Sequence, residues 1–381
     1  MNGLRTWLGG VGLGLLLASL GEAGSMLTLF DSTAPNLSAL TRDGQAFAGY
    51  LPGPYGYAGR LQNGTLTSIE DPTGPYVDSV TGISNNGNVV TGDLWRNDFS
   101  AYRWENGVLE ALLGPGDTFS FSGLGNSVSG DGSIVVGYAG GGETSGAAYW
   151  QGGVRTFLQV PEGTIGSNAD AISADGRTIV GSMTDLNGTH PVVWRDGVMS
   201  ILPDLPGGTD YPSAINVSSD GSVIVGAVDS ASGYSIARWV NGDLEVLKRL
   251  PSGGGFAPSG HEVSDDGSIV LWAPGLNSEI WREGIGSKTF EKYARVHFGL
   301  SFQDALPNLI GVFASEMTPD GNTFGGILLD ENYNAKSFIV YLDPSEFVVP
   351  EPSSLALVGC AAVGMLWAGR RTRSPRGSVS T

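Results

Sequence analysis

The sequence predicts an all-β protein, a seven-bladed β-propeller. Residues 26–343 repeat a short unit, an Asp-Gly or Asn-Gly turn followed by a short apolar run. The turn glycines are 43 to 46 residues apart, with a last spacing of 54, and a period of 40–50 residues is typical of a four-stranded blade. A chain rich in glycine and in short apolar runs also favours β structure. The seven turn glycines are Gly44, Gly87, Gly132, Gly176, Gly221, Gly267 and Gly321.

One repeat shows the expected order of four strands most clearly. Residues 169–173 lead into the turn at Asp175-Gly176, and residues 178–181 return as a second strand. The third strand is residues 191–194, and Asp196-Gly197 forms a two-residue turn into the fourth. Asp-Gly and Asn-Gly pairs tolerate the positive φ that turns between twisted antiparallel strands require.

The two ends of the repeat region explain how the ring closes. After residues 338–342 the seventh unit ends before its fourth strand, whereas residues 26–30 precede the first unit as an unassigned strand. Pairing of these two segments would complete the seventh blade and remove the sheet edge at the junction. This supports a blade count of seven.

Five tryptophans recur at one position of the unit, just before the second turn. Such a row is either a ligand-stacking surface or the aromatic contact between neighbouring blades, and we favour inter-blade packing. The residues are Trp104, Trp150, Trp194, Trp239 and Trp281.

The repeated turn aspartates allow two interpretations. They either cap their own turns by accepting backbone N–H bonds, which we favour, or bind calcium. One carboxylate per turn is few for calcium, which takes six to eight oxygen ligands, so the spacing does not support a calcium site or any other cofactor. The residues are Asp131, Asp175, Asp220, Asp266 and Asp320.

The long last spacing contains an insertion at residues 290–306. Its apolar residues at 290, 293, 294, 297 and 298 have helical spacing. We expect a short amphipathic helix between blades six and seven, packed on the ring. A partner-binding or regulatory helix is the less favoured alternative.

Charge and cysteine content exclude several classes of function. The formal charge is −18, which repels nucleic acid, so no nucleic-acid partner is expected. The one cysteine, Cys360, lies in the C-terminal apolar stretch. The repeat region therefore has no disulfide, no thiol nucleophile and no thiolate metal site.

Residues 1–23 have the pattern of a secretory signal peptide. Arg5 precedes the apolar residues 7–20, and Gly21-Glu22-Ala23 is a small-x-small site for signal peptidase. An N-terminal membrane anchor is the alternative, although the apolar stretch is shorter than the ~20 residues of a membrane span.

Residues 349–376 contain three features in order. Pro350-Glu351-Pro352 is followed by the apolar residues 355–369, expected as a short transmembrane helix, and then by Arg370, Arg371 and Arg373. Basic residues at the end of an apolar segment resist translocation, so this tail favours transient membrane insertion.

These C-terminal features resemble the PEP-CTERM sorting signal of bacterial proteins. The resemblance implies that an exosortase, a membrane protease, recognises the Pro-Glu-Pro residues, the apolar helix and the basic end. It also implies export, with the protein at the cell surface or released from it. A permanent C-terminal anchor remains the alternative.

The repeats are similar to HAF-type extracellular repeats. The resemblance is carried by Ala-Ile-Ser-Ala-Asp-Gly at residues 171–176 and by Ala-Tyr-Arg-Trp-Glu-Asn-Gly at residues 101–107. Ser100 stands where that family has its characteristic histidine. The resemblance implies an extracellular propeller and no particular reaction.

No motif of a known catalytic site occurs in the sequence. The three histidines are far apart, and there is no phosphate-binding loop and no nucleophile elbow. The longer connections between strands share one face of the ring, and exposed aromatic and acidic residues there form a candidate ligand face. An equal alternative is that they only cover the blade ends. The residues are Phe99, Phe119, Phe121, Tyr138, Asp185, Asp210, Tyr211, Tyr234 and Phe256.

Two functions follow as hypotheses. The first is a secreted, non-enzymatic binding or structural protein of an extracellular polysaccharide matrix. The second is a polysaccharide-processing enzyme whose site lies at the mouth of the propeller channel. Glycoside hydrolysis uses paired carboxylates, and no such pair stands out in this sequence.

Overall fold

The computed structural model is a seven-bladed β-propeller, which confirms the predicted fold class. Each of the seven sheets contains four antiparallel strands that follow one another in the chain, apart from the closing blade and an irregular edge of the second. The structure describes residues 16–18, 24–30, 34–51, 57–70, 76–77, 79–95, 99–114, 124–140, 145–208, 212–250, 259–275 and 277–347.

The strands of blades one to four follow chain order. They are β3 (Asn36–Leu40), β4 (Ala46–Tyr50), β5 (Ala58–Gln62) and β6 (Thr65–Ile69); β7 (Tyr76–Val77), β8 (Gly82–Ile83), β9 (Val89–Trp95), β10 (Phe99–Glu105) and β11 (Val108–Ala111); β12 (Leu124–Val128), β13 (Ile134–Ala139), β14 (Gly146–Gln151) and β15 (Val154–Phe157); and β16 (Gly166–Ile172), β17 (Thr178–Asp185), β18 (Gly188–Arg195) and β19 (Val198–Ile201).

Blades five to seven continue the same order, and blade seven also takes its outer strands from the start of the chain. The strands are β20 (Ser213–Val217), β21 (Val223–Val228), β22 (Ser235–Val240) and β23 (Asp243–Arg249); β24 (Ser259–Val263), β25 (Ile269–Ala273), β26 (Glu279–Arg282) and β27 (Gly286–Thr289); and β28 (Leu309–Met317), β29 (Thr323–Asp330), β30 (Ala335–Tyr341), β2 (Met26–Leu29) and β1 (Leu16–Ala18).

The ring closes as the sequence predicts. Strand β2 pairs antiparallel with β30, with Leu27 opposite Val340 and Leu29 opposite Phe338. All four of these side chains are buried. Strand β1 pairs with the other edge of β2, and its residues belong to the segment predicted as a signal peptide.

The repeated turns are held by one set of hydrogen bonds. In blade four the Ser173 hydroxyl donates to Asp175 Oδ1 at 2.6 Å, and the same oxygen accepts the Arg177 N–H at 3.0 Å. The Thr178 N–H donates to Ser173 Oγ at 3.0 Å, and Gly176 has φ of 77°. The aspartates therefore cap their own turns, the interpretation that the sequence favours.

In five blades, the glycine within the second strand is required because the backbone of the first strand lies close to it. Between Ala169 and Ala171 the ladder of β16 with β17 skips one residue, which pushes the backbone of the first strand toward the second. A Cβ on Gly181 would lie 2.0 Å from the Asn168 carbonyl oxygen. The same clash, at 1.8 to 2.1 Å, exists at Gly49, Gly92, Gly226 and Gly326.

Blade six departs from this rule. Trp272 occupies the glycine position, and the ladder there skips from the pair Ser259–Ala273 to the pair Glu262–Leu271. The wider bulge buries His261, whose ring nitrogens have no hydrogen-bond partner among the described residues. Burial lowers the pKa of His261 to about 4, so the ring is neutral at pH 7.

The insertion between blades six and seven is helical, as predicted. Helix α1 (Phe290–Phe298) buries the side chains that the helical spacing indicates, and α2 (Phe302–Ala305) follows it. Both helices pack in one apolar cluster with blades six and seven, where Phe290 lies 4.8 Å from Phe324 and 5.8 Å from Phe302, measured between ring centroids.

We expect Gly181→Ala to lower the free energy of unfolding by about 1–3 kcal/mol, because its Cβ overlaps a backbone carbonyl that a rotamer change cannot move. Gly166→Ala in the neighbouring strand is the control, since a Cβ there meets no atom within 4 Å. Urea denaturation of both variants provides the measurement. Equal midpoints for the two variants would contradict the role of the bulge.

Candidate functional site

The central channel is lined by the first strand of each blade. These strands contact one another around the whole ring. At one end of the channel lie the Asp-Gly turns, and at the other lie the connections between second and third strands and between blades. This arrangement of the two faces agrees with the sequence analysis.

The turn end of the channel is linked by backbone hydrogen bonds between successive turns. The Asn85 N–H donates to the Gly130 carbonyl, the Gly130 N–H to Ala174, and the Ala174 N–H to Ser219, at 2.9 to 3.1 Å. Between blades six and seven the Asp265 N–H donates to the Pro319 carbonyl at 2.7 Å. These bonds join the tips of successive turns at this end of the channel.

Between blades seven and one, side chains replace the backbone hydrogen bond that links the turns of blades two to five and of blades six and seven. Pro319 has no backbone N–H and so cannot donate a hydrogen bond to the turn of blade one. The Arg42 guanidinium of blade one instead reaches across blade seven to the Asp265 carboxylate, at 3.2 Å. That carboxylate also accepts the Ser219 N–H at 2.9 Å, so Asp265 joins the turns of four blades.

Polar side chains on or next to the first strands connect blades two to six within the channel. Asn126 Nδ2 donates to the Ala169 carbonyl at 2.7 Å, and the Ser213 hydroxyl donates to Asp170 Oδ2 at 2.7 Å. Asn216 Nδ2 donates to Glu262 Oε1 at 2.8 Å, and Thr81 Oγ1 donates to the Gly125 carbonyl. These residues form an inter-blade network around the channel.

Three channel carboxyls have raised pKa values. Burial raises the pKa of Asp170 to about 6, against the hydrogen bonds from Ser213 and Asn168. Burial raises the pKa of Glu316 to about 8, although the Leu40 N–H donates to its carboxyl. Burial and then repulsion by Glu316 raise the pKa of Glu262. Near neutral pH, Glu316 therefore retains a proton that exposed carboxyls lose.

A second inter-blade network uses arginines at the third strand. Arg103 donates to the Gly132 carbonyl at 3.1 Å, and Arg195 donates to Gly221 at 2.8 Å. Each acceptor is the turn glycine of the following blade. Sequence analysis missed this role, but the signal exists: arginine stands beside the recurrent tryptophan in blades two, four, five and six.

The five recurrent tryptophans pack between blades, which is the interpretation that the sequence analysis favours. All five are buried, with exposed fractions of 9% or less. The Arg60 guanidinium lies 4.8 Å from the ring centroid of Trp104 in the next blade, and Arg238 lies 4.6 Å from that of Trp281. A guanidinium over an indole face stabilises the blade interface, and the buried rings are not a stacking surface for a ligand.

The structure describes part of the predicted ligand face. Tyr138 lies in β13, and Tyr234 precedes β22; both are partly exposed. Phe99 begins β10, and its side chain is not described. The remaining members except Asp185 lie outside the described residues: Phe119, Phe121, Asp210, Tyr211 and Phe256.

Blade four corrects the strand bounds expected at residues 178–181 and 191–194, which leave residues 182–190 as one of the longer connections on this face. Residues 182–190 are not a long loop, because β17 and β18 stay paired up to Asp185 and Gly188. Asp185 Oδ1 accepts the Asn187 N–H at 2.7 Å and lies 3.2 Å from His190 Nε2. The Asn187 N–H and His190 hold the pKa of Asp185 below its usual value. The carboxylate thus has a local role in a tight hairpin.

The processing residues lie outside the described part of the chain, as does the expected helix at 355–369. They are Ala23, Pro350, Glu351, Pro352, Arg370 and Arg371. Within the described part, no helix is long and apolar enough to span a membrane. The same residues contain no group of three or more His, Cys, Asp or Glu side chains placed to hold a metal ion.

Solved β-propellers are similar to this chain in fold. An oligogalacturonate lyase from Vibrio parahaemolyticus has a TM-score of 0.55 at 12% identity, covering 88% of this chain and 98% of the lyase. The Cps50 (Swd1) β-propeller domain of Myceliophteria thermophila has a TM-score of 0.51 at 11% identity, covering 82% and 99% of the two chains. Identities this low show the fold alone.

A third similar structure is TolB from Acinetobacter baumannii, with a TM-score of 0.42 at 10% identity. The match covers 82% of this chain and spans 65% of that TolB chain. No model of a known protein family matches the sequence, and no curated protein matches it.

We expect Glu316→Gln to remove a pH-dependent loss of stability. A carboxyl with a folded pKa of about 8 and an unfolded pKa of about 4.5 binds its proton more tightly in the folded state. The free energy of unfolding therefore falls as pH rises through that window. Thermal unfolding of the wild type between pH 5 and 8 should show this fall, and the variant should show a smaller one.

Glu110→Gln, at an exposed position on β11, is the matched control and should keep the pH dependence of the wild type. If Glu316→Gln and wild type lose stability in parallel over this range, the channel carboxyl is not protonated in the folded protein.

Proposed function

We propose that this chain is an exported protein that reaches the bacterial surface or medium through exosortase processing of its tail. Its propeller would act there as a non-enzymatic binding or structural unit of an extracellular polysaccharide matrix. The order Pro-Glu-Pro, apolar segment and arginine cluster at residues 350–373 supports the sorting step. The N-terminal pattern at residues 1–23 supports export.

The observation that supports a non-enzymatic role is that the channel carboxyls accept hydrogen bonds from neighbouring blades. Asp170 accepts a bond from Ser213 of blade five, Glu262 one from Asn216 of blade five, and Glu316 one from the Leu40 N–H of blade one. Each carboxyl thus accepts a bond from a neighbouring blade, as expected of groups that hold a ring together. We therefore expect a ligand to bind at the face of the longer connections, opposite the Asp-Gly turns, where Tyr138 and Tyr234 are partly exposed.

A polysaccharide-processing enzyme is the second candidate. The observation in its favour is the pair Glu262 and Glu316 on adjacent blades: burial raises the pKa of both carboxyls, and repulsion by Glu316 adds to the rise at Glu262. Perturbed carboxyls in a channel are a common feature of acid–base catalysts. The likeness to an oligogalacturonate lyase adds only the fold to this argument.

For sorting, we expect the mature protein from a strain that contains an exosortase to end near Pro352, because the prolines keep that backbone extended for a protease. Replacement of Pro350, Glu351 and Pro352 by alanine should abolish this processing. Intact-mass measurement of the surface or secreted form gives the result. Alanines at Ser353 and Ser354 are the matched control. Recovery of residues 370–381 on the mature surface form would refute processing.

For binding, we expect the protein to retain acidic or neutral bacterial polysaccharides on a glycan array. Tyr138→Ala and Tyr234→Ala should each weaken binding about tenfold, the effect of losing one aromatic stacking contact of ~1.4 kcal/mol. Val154→Ala and Val198→Ala, exposed on outer strands, are the controls and should bind as wild type.

The same glycans distinguish the two candidates. Release of shorter saccharides by the wild type, lost in Glu262→Gln and Glu316→Gln, would establish the enzyme and overturn the non-enzymatic role. Binding without such products, unaffected by the two channel variants, is the result that the first candidate predicts.

A further inference from the structure

Both ends of the propeller segment meet at one corner of blade seven. Ser25, just before β2, donates its N–H and its hydroxyl to Glu346 Oε2 at 3.0 and 2.6 Å. The Asp343 N–H donates to Ser25 Oγ at 2.9 Å. Asp343 and Glu346 belong to a short 3₁₀ turn that follows β30. These bonds join residues more than 300 positions apart in the sequence.

Each of the two carboxylates uses only one oxygen in these local bonds. Asp343 Oδ1 accepts the Ser345 N–H and hydroxyl at 2.9 and 2.7 Å, and Glu346 Oε2 accepts Ser25. The other two oxygens converge on Gly24. A Cβ built on Gly24 would lie 2.4 Å from Asp343 Oδ2 and 2.8 Å from Glu346 Oε1.

The Glu346 oxygen that faces Gly24 lacks a partner. Oε1 is buried and has no hydrogen bond within the described part of the chain. A buried carboxylate oxygen without a donor loses the free energy of hydration without compensation. This corner therefore has an unfilled position for a hydrogen-bond donor, beside two negative charges.

The surroundings leave this negative charge uncompensated. The pKa of Tyr341 is raised by burial and then by Asp343, Asp320 and Glu346. Two basic residues contact the neighbouring Phe347 ring: the Arg282 guanidinium lies over it at 4.1 Å and donates to the Tyr293 hydroxyl, and the His297 ring stacks on it. Among the described residues neither Asp343 nor Glu346 has an ion-pair partner.

We propose that this corner binds the α-ammonium group that cleavage after Ala23 creates on Gly24. The inference rests on the export step of the proposed function. Hydrolysis of the Ala23–Gly24 peptide bond consumes one water, leaves the carboxylate on Ala23 and releases an amine on Gly24, which is protonated at neutral pH. The product supplies the cation and the donors that the corner lacks.

Because residue 24 is glycine, its new ammonium group can reach both carboxylates by a single bond rotation. In the uncut chain the Gly24 nitrogen lies within about 5 Å of both free oxygens, because N and Cβ share one Cα. After cleavage, rotation by about 120° about the Cα–C bond places the nitrogen where a Cβ would stand. That position is within hydrogen-bond distance of Asp343 Oδ2 and Glu346 Oε1. Any other residue would place its side chain against these carboxylates.

Binding of the ammonium group by the two carboxylates would stabilise β2, the strand that closes the ring. Gly24 stands two residues before β2, which supplies the fourth strand of blade seven. An ion pair at this point restrains the start of β2 against fraying. The ion pair would thus stabilise the start of β2 in the processed chain, from which β1 is absent.

The test uses a chain from Gly24 to Thr381 in which a removable tag replaces residues 1–23. In vitro cleavage of the tag leaves Gly24 first, independent of the cell's export machinery. We expect tag removal to raise the wild-type Tm at pH 7 by about 2 °C or more. Glu346→Gln and Asp343→Asn should each remove at least half of this gain, whereas the remote control Glu110→Gln should retain it.

The pH dependence follows from linkage. A carboxylate pair raises the pKa of the α-ammonium group above its ordinary value of about 7.7–8.0. The added stability is complete below that ordinary value and is lost as pH rises through the raised pKa. We therefore expect the gain in Tm to disappear by about pH 10, and the amine pKa to exceed that of the Glu346→Gln form by about one unit. Competitive acetylation of the N-terminus against pH measures the latter.

A gain in Tm that persists in Glu346→Gln and Asp343→Asn would overturn the proposal, as would no gain in the wild type or an ordinary amine pKa. The proposed function fails separately. If intact-mass measurement of exported protein shows a first residue other than Gly24, the assignment of the cleavage site is wrong, whatever the tagged chain shows.

Discussion

The pairing of β2 with β30 is the contact on which the rest of the ring depends. Each blade packs on its two neighbours, so an incomplete seventh blade would expose apolar surface of the blades on both sides of the junction. Leu27 and Leu29 belong to the same apolar cluster as helix α1, strands β25 and β26 of blade six and the strands of blade seven. Closure and the packing of the inserted helix are therefore parts of one core.

Most of the fold can be predicted from the sequence because its signals are local. An Asp-Gly turn fixes its own hydrogen bonds within six residues, as Ser173, Asp175 and Thr178 do, and a seven-fold recurrence of that pattern sets the architecture. The helix at 290–298 is predictable for the same reason. Residues 182–190 are the counterexample: the continued pairing of β17 and β18 depends on register along the whole hairpin, which has no signature in that stretch alone.

The channel could not be predicted, because its contacts join different blades. Asn216 and Glu262 are unremarkable in sequence, and only the ring places them in contact. The arginine contacts are intermediate: the residue beside tryptophan recurs in the sequence, but its acceptor is a backbone carbonyl one blade away, as for Arg195 and Gly221. Blade six shows why degenerate repeats matter, since Trp272 in place of glycine changes the bulge and buries His261.

The two networks also suggest why an acidic protein tolerates carboxyls in its channel. A protonated Glu316 carries no charge to desolvate, and Asp170 accepts donors from two side chains, one on its own strand and one on blade five. The corner at Gly24 differs, because the free oxygens of Asp343 and Glu346 face a position without a donor. Carboxyls that serve the ring alone have their partners in the folded chain. Glu346 Oε1 lies beside Gly24, the first residue after the predicted cleavage site, and has no partner among the described residues. This is the arrangement expected if its partner, the Gly24 amine, forms only when the chain is cleaved.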